Sequence, residues 1–377
     1  MNRLSLSFYT NIPTPYQEDF FNALNKICEF KAVYYAKTES DRNWENNLAS
    51  YKLRYLKNSF VVQIIQKWFK DFHFSWGVFS LSMNEPAQWI ILGGNYFAVN
   101  NLIAAIILKM RGKRLAFFTE KIKDGKSFKF WLKKMYLRYF LGHIDVIIYI
   151  GECAKESYHS YGFSRIKSII IPYNIDIDLF DKRNLDLKKL DEIKDNLNVD
   201  GRIVILSSGS LIQRKGMDIV IDCFNSMEDT YRDRISLLIL GSGEEEIKLK
   251  SKVISNQIKF LGFKQKNEIP YYFAISDIFL FCSRYDGWGL VINEAIASEL
   301  AIISSDAVGA SEYIREGING FVIKNEDIAG YNVAICKLLD SSELLHQMKV
   351  ENAKFKQAVS SQYNAEQLVS YLTSIAI

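Results

Sequence analysis

The 377 residues carry 24% charged and 49% hydrophobic side chains, an ordinary globular composition that excludes a disordered chain and leaves length for two hydrophobic cores. The net charge of +4 is small for this size and argues against a dedicated nucleic-acid binder. The five cysteines are scattered, odd in number and without a CxxC or Cys/His cluster, which points to reduced structural thiols in a cytosolic compartment and against a zinc site.

The apolar part of the first eight residues is too short for a signal peptide, and the longest apolar run, Leu102 to Leu108, is far short of a bilayer span. The expectation is a cytoplasmic protein that at most lies on a membrane. Leu4 to Tyr9 reads as a first strand, followed by a proline-stiffened loop (Pro13-Thr14-Pro15-Tyr16), a helix with Phe20, Phe21, Leu24 and Ile27 on one face, and a second strand at Ala32–Tyr35. This is a doubly wound α/β opening. The GxGxxG fingerprint is absent after the first strand, which counts against a nicotinamide dehydrogenase. Residues 40–76 read as irregular. Trp89 to Leu92 is a strand ending on Gly93-Gly94. A helix over Val99–Met110 leads to the strand Leu115–Phe118, which ends on Thr119-Glu120. Ligands of doubly wound sheets bind beyond the carboxyl ends of strands, so Glu120 is a candidate site residue, the alternative being a solvated loop carboxylate.

Residues 121–138 hold seven basic side chains (Lys121, Lys123, Lys126, Lys129, Lys133, Lys134, Arg138) against Asp124, with Phe128, Trp131, Leu132, Met135 and Tyr139 on one helical face. Such a helix can lie on an anionic membrane surface. It can equally pack that face on the core and solvate its lysines, the commoner arrangement. Val146–Ile150 and Ile169–Pro172 read as two further buried strands.

Residues 178–200 are charged and read as a connection between domains. The grammar then repeats: strand Arg202–Leu206, the turn Gly209 to Gly216, a helix over Asp218–Phe224, strand Ser236–Leu240, the turn Gly241-Ser242-Gly243, and Ile258 to Phe263 ending in another turn. Arg214 and Lys215 stand between a strand and a helix, where cations suit a phosphate or diphosphate; alone they would read as exposed basic residues. Ile278 to Phe281 is a buried strand that opens onto Asp286-Gly287-Trp288-Gly289-Leu290. Glu294 follows inside an otherwise apolar helix, where a carboxylate is costly to bury unless ribose hydroxyls or a salt bridge satisfy it. Cations for a diphosphate and carboxylates for sugar hydroxyls, both at strand ends of one domain, describe a nucleotide-sugar site.

On these residues nearly the whole chain resembles a retaining glycosyltransferase of family 4. The most specific piece is Asp286 to Ala295, which matches the family's E-x7-E signature with Asp in the first position. The runs Asp306 to Ile314, Gly317 to Phe321, Gly209 to Gly216, Asn174-Ile175-Asp176 and Pro13 to Tyr16 are similar too. The resemblance implies the GT-B fold, two Rossmann-like doubly wound α/β domains facing across a cleft. Residues 1–173 would form an acceptor-binding domain and residues 174–360 a nucleotide-sugar-binding domain, while residues 361–377 would form a helix returning to the first domain. It further implies catalytic roles for Glu120, Lys215 and Asp286. Lys215 would hold the donor diphosphate, Glu294 the ribose hydroxyls and Asp286 the transferred sugar. The N–H groups of Gly287, Trp288, Gly289 and Leu290 would meet sugar or phosphate, and Gly241, Gly262 and Phe263 would border the base. The arginine usual after Gly209 is Ser210 here, with Arg214 in its stead as in relatives reading RKG. The first loop lacks the common glycine pair, and Asp286 is one methylene shorter than the usual Glu.

The implied reaction moves a sugar, with retention, from a nucleoside-diphosphate sugar (a UDP-sugar as co-substrate, with no cofactor or metal) to a hydroxyl of a lipid-linked saccharide in bacterial surface-polysaccharide assembly. It would run at the inner face of the cytoplasmic membrane and involve no nucleic acid. Two alternatives remain at this stage: a GT-B nucleotide-sugar epimerase, for which no convincing acid/base pair is visible, and a non-catalytic sugar-nucleotide-binding scaffold, against which Lys215 and Glu294 argue.

Overall fold

The computed structural model describes residues 3–36, 50–56, 74–94, 98–122 and 128–375. The chain divides into two compact units, Met1–Asn174 with Ser361–Ile377, and Ile175–Ser360.

The first unit is built on a seven-stranded sheet: β1 (Ser5–Thr10), β2 (Glu29–Tyr34), β3 (Lys52–Tyr55), β4 (Trp89–Leu92), β5 (Arg114–Thr119), β6 (Val146–Tyr149) and β7 (Lys167–Ile170). Its order is β3-β2-β1-β4-β5-β6-β7, and every pairing is parallel. The central strands β4 and β6 are unbroken apolar runs buried on both faces, as helices on both sides of a parallel sheet require. The edge strands differ. β3 reads Lys-Leu-Arg-Tyr and three of its four residues are exposed. It corrects the reading of 40–76 as irregular: an edge strand carries charge where a central one cannot. Residues 40–49 and 57–73 of that stretch lie outside the described residues. β7 begins two residues before the apolar run expected for it, because Lys167 and Ser168 pair with Val146 and Ile147. The closing helix, Ser361–Ser374, packs on the helix Pro15–Ile27.

Beneath β1 sits a buried acid that no local sequence pattern singles out. Glu85, 1% exposed, accepts hydrogen bonds from the hydroxyls of Ser7 (2.9 Å) and Tyr9 (2.7 Å), from the Ala87 N–H (3.1 Å) and from Lys31 Nζ (2.8 Å). Burial alone would raise its pKa. The bonds from Lys31, Tyr9 and Ala87 outweigh that and hold the carboxyl below its ordinary value.

The second unit repeats the plan with six parallel strands, β8 (Ile203–Ser208), β9 (Ile235–Leu240), β10 (Ile258–Gly262), β11 (Ile278–Phe281), β12 (Ala301–Ser305) and β13 (Gly320–Ile323), in the order β10-β9-β8-β11-β12-β13. The charged stretch before it forms the helix Leu187–Leu197. Asp186 caps this helix by accepting from the N–H groups of Lys188 and Lys189, and Asn198 ends it in the left-handed conformation at φ +47°. In this sheet β8 neighbours both β9 and β11, so the strand order reverses direction at β8/β11. The loops leaving those two strands diverge around the point where ligands of doubly wound sheets bind.

Candidate active site

Two loops meet at that reversal. The first leaves β8 through Gly209, passes the exposed Ser210 and the buried Leu211, and tightens into a single 3-10 turn, Gln213–Lys215. Gly216 then opens the helix Met217–Ser226. Gly216 has φ +67°, and a Cβ there would sit 2.0 Å from the carbonyl oxygen of Cys282, just past β11. Only glycine lets the turn lie that close to the neighbouring strand end. The second loop runs from β11 through Ser283 to Gly289 and enters the helix Leu290–Ala297, which holds Glu294, half-buried. Gly289 has φ +86°, and a Cβ there would stand 2.7 Å from Val308 Cγ1.

The charged side chains converge between these loops. Lys215 Nζ donates to Asp286 Oδ2, and the two side chains are only 15% and 14% exposed. Arg214 Nη1 lies 3.7 Å from the same carboxylate oxygen and donates to the Tyr285 carbonyl at 2.7 Å. The Lys215 ammonium also stands 5.3 Å from the centre of the Phe281 ring. Two cations thus share one carboxylate. A dianion arriving here would find positive charge already gathered and a single anion to share it with.

Asp286 is itself fixed by backbone. Its N–H donates to the Ala307 carbonyl (3.1 Å), its carbonyl accepts from the Gly309 N–H (3.1 Å), and its Oδ1 accepts from the Trp288 N–H (3.3 Å). The Trp288 side chain turns inward. It is buried, its Nε1 donates to Asn293 Oδ1 at 3.1 Å, and its ring meets Tyr313 edge-on at 5.6 Å. At this residue the indole supports the loop, and the backbone is engaged as well, its carbonyl accepting from the Ala310 N–H at 2.6 Å. The first turn of the Leu290–Ala297 helix adds N–H groups that no carbonyl inside the helix can satisfy.

Sequence reasoning missed Arg284. Its guanidinium takes both carboxylate oxygens of Asp218 (2.8 and 2.7 Å), the Gln213 carbonyl (2.8 Å) and Glu326 Oε1 (2.6 Å). It thereby ties the loop bearing Asp286 to the turn bearing Arg214 and Lys215 and to the helix that follows that turn. The bond from Arg284 holds the Asp218 carboxyl below its ordinary pKa, and the bond to Asp218 holds the guanidinium above its own. Backbone adds to the tie: the Arg284 N–H and the Ser283 hydroxyl both donate to the Arg214 carbonyl, at 2.9 and 3.1 Å.

The remaining expected residues flank this pair of loops or lie in the other unit. The Gly241 N–H donates to the Gly262 carbonyl at 3.0 Å and the Gly209 N–H to the Leu240 carbonyl at 2.9 Å, so the turns after β8, β9 and β10 are stitched side by side. Phe263, beyond Gly262, is exposed. Glu120 belongs to the first unit. It follows β5, is exposed, and accepts from the Tyr173 hydroxyl at 2.5 Å.

Residues 188–355, inside the second unit, match the family described as glycosyl transferases group 1. Among curated relatives, spore coat protein SA of Bacillus subtilis is 27% identical over 214 residues, covering 53% of this chain and 56% of that protein. Alpha-monoglucosyldiacylglycerol synthase of Acholeplasma laidlawii is 27% identical over 172 residues, covering 44% of this chain and 43% of its own length. This chain therefore spans about half the length of these two relatives. Among solved structures, HepE of Anabaena in complex with UDP superposes with a TM-score of 0.75 at 15% identity, over 98% of this chain and 100% of that one. The chain has the GT-B fold, two Rossmann-like domains each on its own parallel sheet. Residues 188–355 of its second domain are similar to the group 1 glycosyl transferases.

Proposed function

We propose that the chain is a retaining glycosyltransferase of family 4 that moves a sugar from a nucleoside-diphosphate sugar, a UDP-sugar first of all, to a hydroxyl of a lipid-linked saccharide. The observation that carries this reading is the convergence of Arg214, Lys215 and Asp286 at the reversal of strand order, on loops that glycines and Arg284 hold together. HepE holds UDP in its solved structure, and UDP-glucose in another. The Acholeplasma relative is named as the synthase of a glycolipid. Those names support a UDP-sugar donor and a lipid-borne acceptor. The setting that fits is surface-polysaccharide assembly at the cytoplasmic face of a membrane.

The chemistry follows from the charges. The glycosidic C–O bond to the diphosphate breaks as the acceptor oxygen bonds to the same face of the sugar carbon. The acceptor proton passes to the departing phosphate oxygen. Lys215 and Arg214 meet the charge that develops on that oxygen, already oriented and partly shielded from water, so no metal is required for it. Asp286 takes hydroxyls of the transferred sugar once the diphosphate draws Lys215 away. Glu294 takes the ribose hydroxyls, Gly209, Gly241, Gly262 and Phe263 border the nucleotide, and the N–H groups from Gly287 to Leu290 meet sugar or phosphate. Glu120 orients the acceptor.

The test separates binding from transfer. Lys215→Ala should lose both UDP binding and transfer, because it removes the cation and leaves the Asp286 carboxylate facing the phosphate. Asp286→Asn frees Lys215 from its ion pair. It should keep UDP affinity at or above wild type while transfer falls at least ~100-fold, the scale set by losing one group that acts on the transition state. Calorimetry with UDP, transfer of labelled sugar to a lipid-linked acceptor, and the anomeric coupling constant of the product read these outcomes. Wild-type turnover in both variants, or an inverted product, would defeat the proposal.

A further inference from the structure

The helix Phe128–Leu141 is apolar on two opposite faces. Leu137, Phe140 and Leu141 are buried, and the Phe140 ring meets Phe117 of β5 edge-on at 5.0 Å, so this face holds the helix to the sheet. Lys133, one of the basic residues of the stretch, is buried with them. The other face is the stripe expected above to pack inward in the commoner arrangement. It points out: Phe128 is 72% exposed, Trp131 54%, Leu132 48%, Met135 53% and Tyr139 56%. At 100° per residue these five fall within about a third of the helix circumference. Phe128 and Trp131 stack on each other at 5.5 Å. Exposed Lys134 and Arg138 run along one side of the stripe, and exposed Lys121 precedes the helix. Lys123 and Lys126 lie outside the described residues. Between residues 121 and 141 the sequence has one acid, Asp124.

We infer that this outward stripe is a docking surface for an anionic phospholipid bilayer, which the helix meets lengthwise. The inference rests on the lipid-borne acceptor proposed above and names the surface that would bring the first unit to it. Five large apolar side chains in water along about 21 Å of helix are costly to leave uncovered. A bilayer interface covers them without any change of fold, since the opposite face already holds the helix in place. Trp and Tyr suit the depth of the headgroups, and cations beside them suit anionic lipid. A second copy of the chain fits worse. A two-fold contact sets the same patch on both sides, and residues 125–141 hold no acid to pair with Lys134 and Arg138.

The experiment is co-sedimentation of the full chain with vesicles of phosphatidylcholine containing one-fifth phosphatidylglycerol, and with vesicles of phosphatidylcholine alone. The expected result is binding to the anionic vesicles that weakens with added salt, and little binding to the neutral ones. The triple variant Trp131→Ser, Leu132→Ser, Met135→Ser should lose at least tenfold in partitioning. Lys134→Glu with Arg138→Glu should lose more than the roughly fivefold expected for each cation merely neutralised. All five positions are exposed, and an unchanged thermal melt of each variant verifies its fold. No binding of wild type to anionic vesicles would overturn the inference, as would full binding by the triple variant. So would a change in self-association of the triple variant without lipid, which would assign the stripe to a contact between copies. A UDP-sugar titration of the same samples without vesicles separates the two proposals: donor binding with no vesicle binding removes the docking surface and leaves the transferase reading standing.

Discussion

One guanidinium organises the charged centre of the second unit. Arg284 spends its donors on Asp218, the Gln213 carbonyl and Glu326, none of them a ligand, and so sets the spacing between the Lys215 turn and the Asp286 loop. Lysine in its place keeps the charge and loses the fork that grips both carboxylate oxygens at once. Arg284→Lys should weaken UDP affinity about tenfold, consistent with losing one charge-assisted bond, with the smaller effect on turnover at saturating donor. Calorimetry and steady-state kinetics measure this; unchanged affinity would mean that the turn keeps its place without the fork. Sequence reasoning singled out Arg214, Lys215, Asp286 and Glu294 because each lies between an apolar strand and a helix or in that helix's first turns, a pattern readable within a dozen residues, and the structure brings the first three together. It missed Arg284, whose partner Asp218 stands 66 residues away, and Glu85, whose partner Lys31 is 54 residues away. No local pattern announces such pairs.

At the scale of elements, the apolar runs were legible and the edges were not. β4, β6 and β11 are buried on both faces and read directly as strands. β3 is charged and exposed, and escaped notice. The helix Phe128–Leu141 misled in a different way. With apolar residues on two opposite faces, periodicity alone could not say which face the sheet would take, and the more conspicuous stripe proved to be the outer one. The turn between β8 and its helix depends on Gly216. In Gly216→Ala the new methyl group meets the Cys282 carbonyl, and the residue keeps a left-handed backbone that alanine disfavours. The expected loss is on the order of 1–3 kcal/mol, the range for a strained backbone position, together with weakened donor binding, because Lys215 is the next residue. Urea unfolding and UDP titration read the two effects; a wild-type midpoint would show that the turn relaxes away from β11 without cost.

Over the whole molecule, each unit carries a carboxyl held below its ordinary pKa, Glu85 in the first and Asp218 in the second. A depressed folded-state pKa means the folded chain resists protonation. Its contribution is complete above the unfolded value of about 4 and is lost as pH falls through the folded value. Melting temperature should therefore hold near neutrality and fall steeply in the acid range below about pH 4. Glu85→Gln should cost about 3–5 kcal/mol at neutral pH, since it leaves Lys31 beside an uncharged amide in a buried network, and should flatten part of the acid decline. A flat profile down to pH 3 in the wild type would argue that neither pair supports the fold. Both doubly wound sheets were expected from the alternation of apolar runs and glycine turns along the chain, and that repetition also placed the charged residues at strand ends.

The most direct test is thermal stabilisation of the purified chain by a panel of UDP-, GDP- and ADP-sugars in the presence of EDTA. A selective rise with one donor, amounting to about 2.7 kcal/mol at a hundredfold excess over its Kd and absent in Lys215→Ala, is the predicted result. No rise with any donor, or an equal rise in Lys215→Ala, would contradict a nucleotide-sugar site at the β8/β11 reversal.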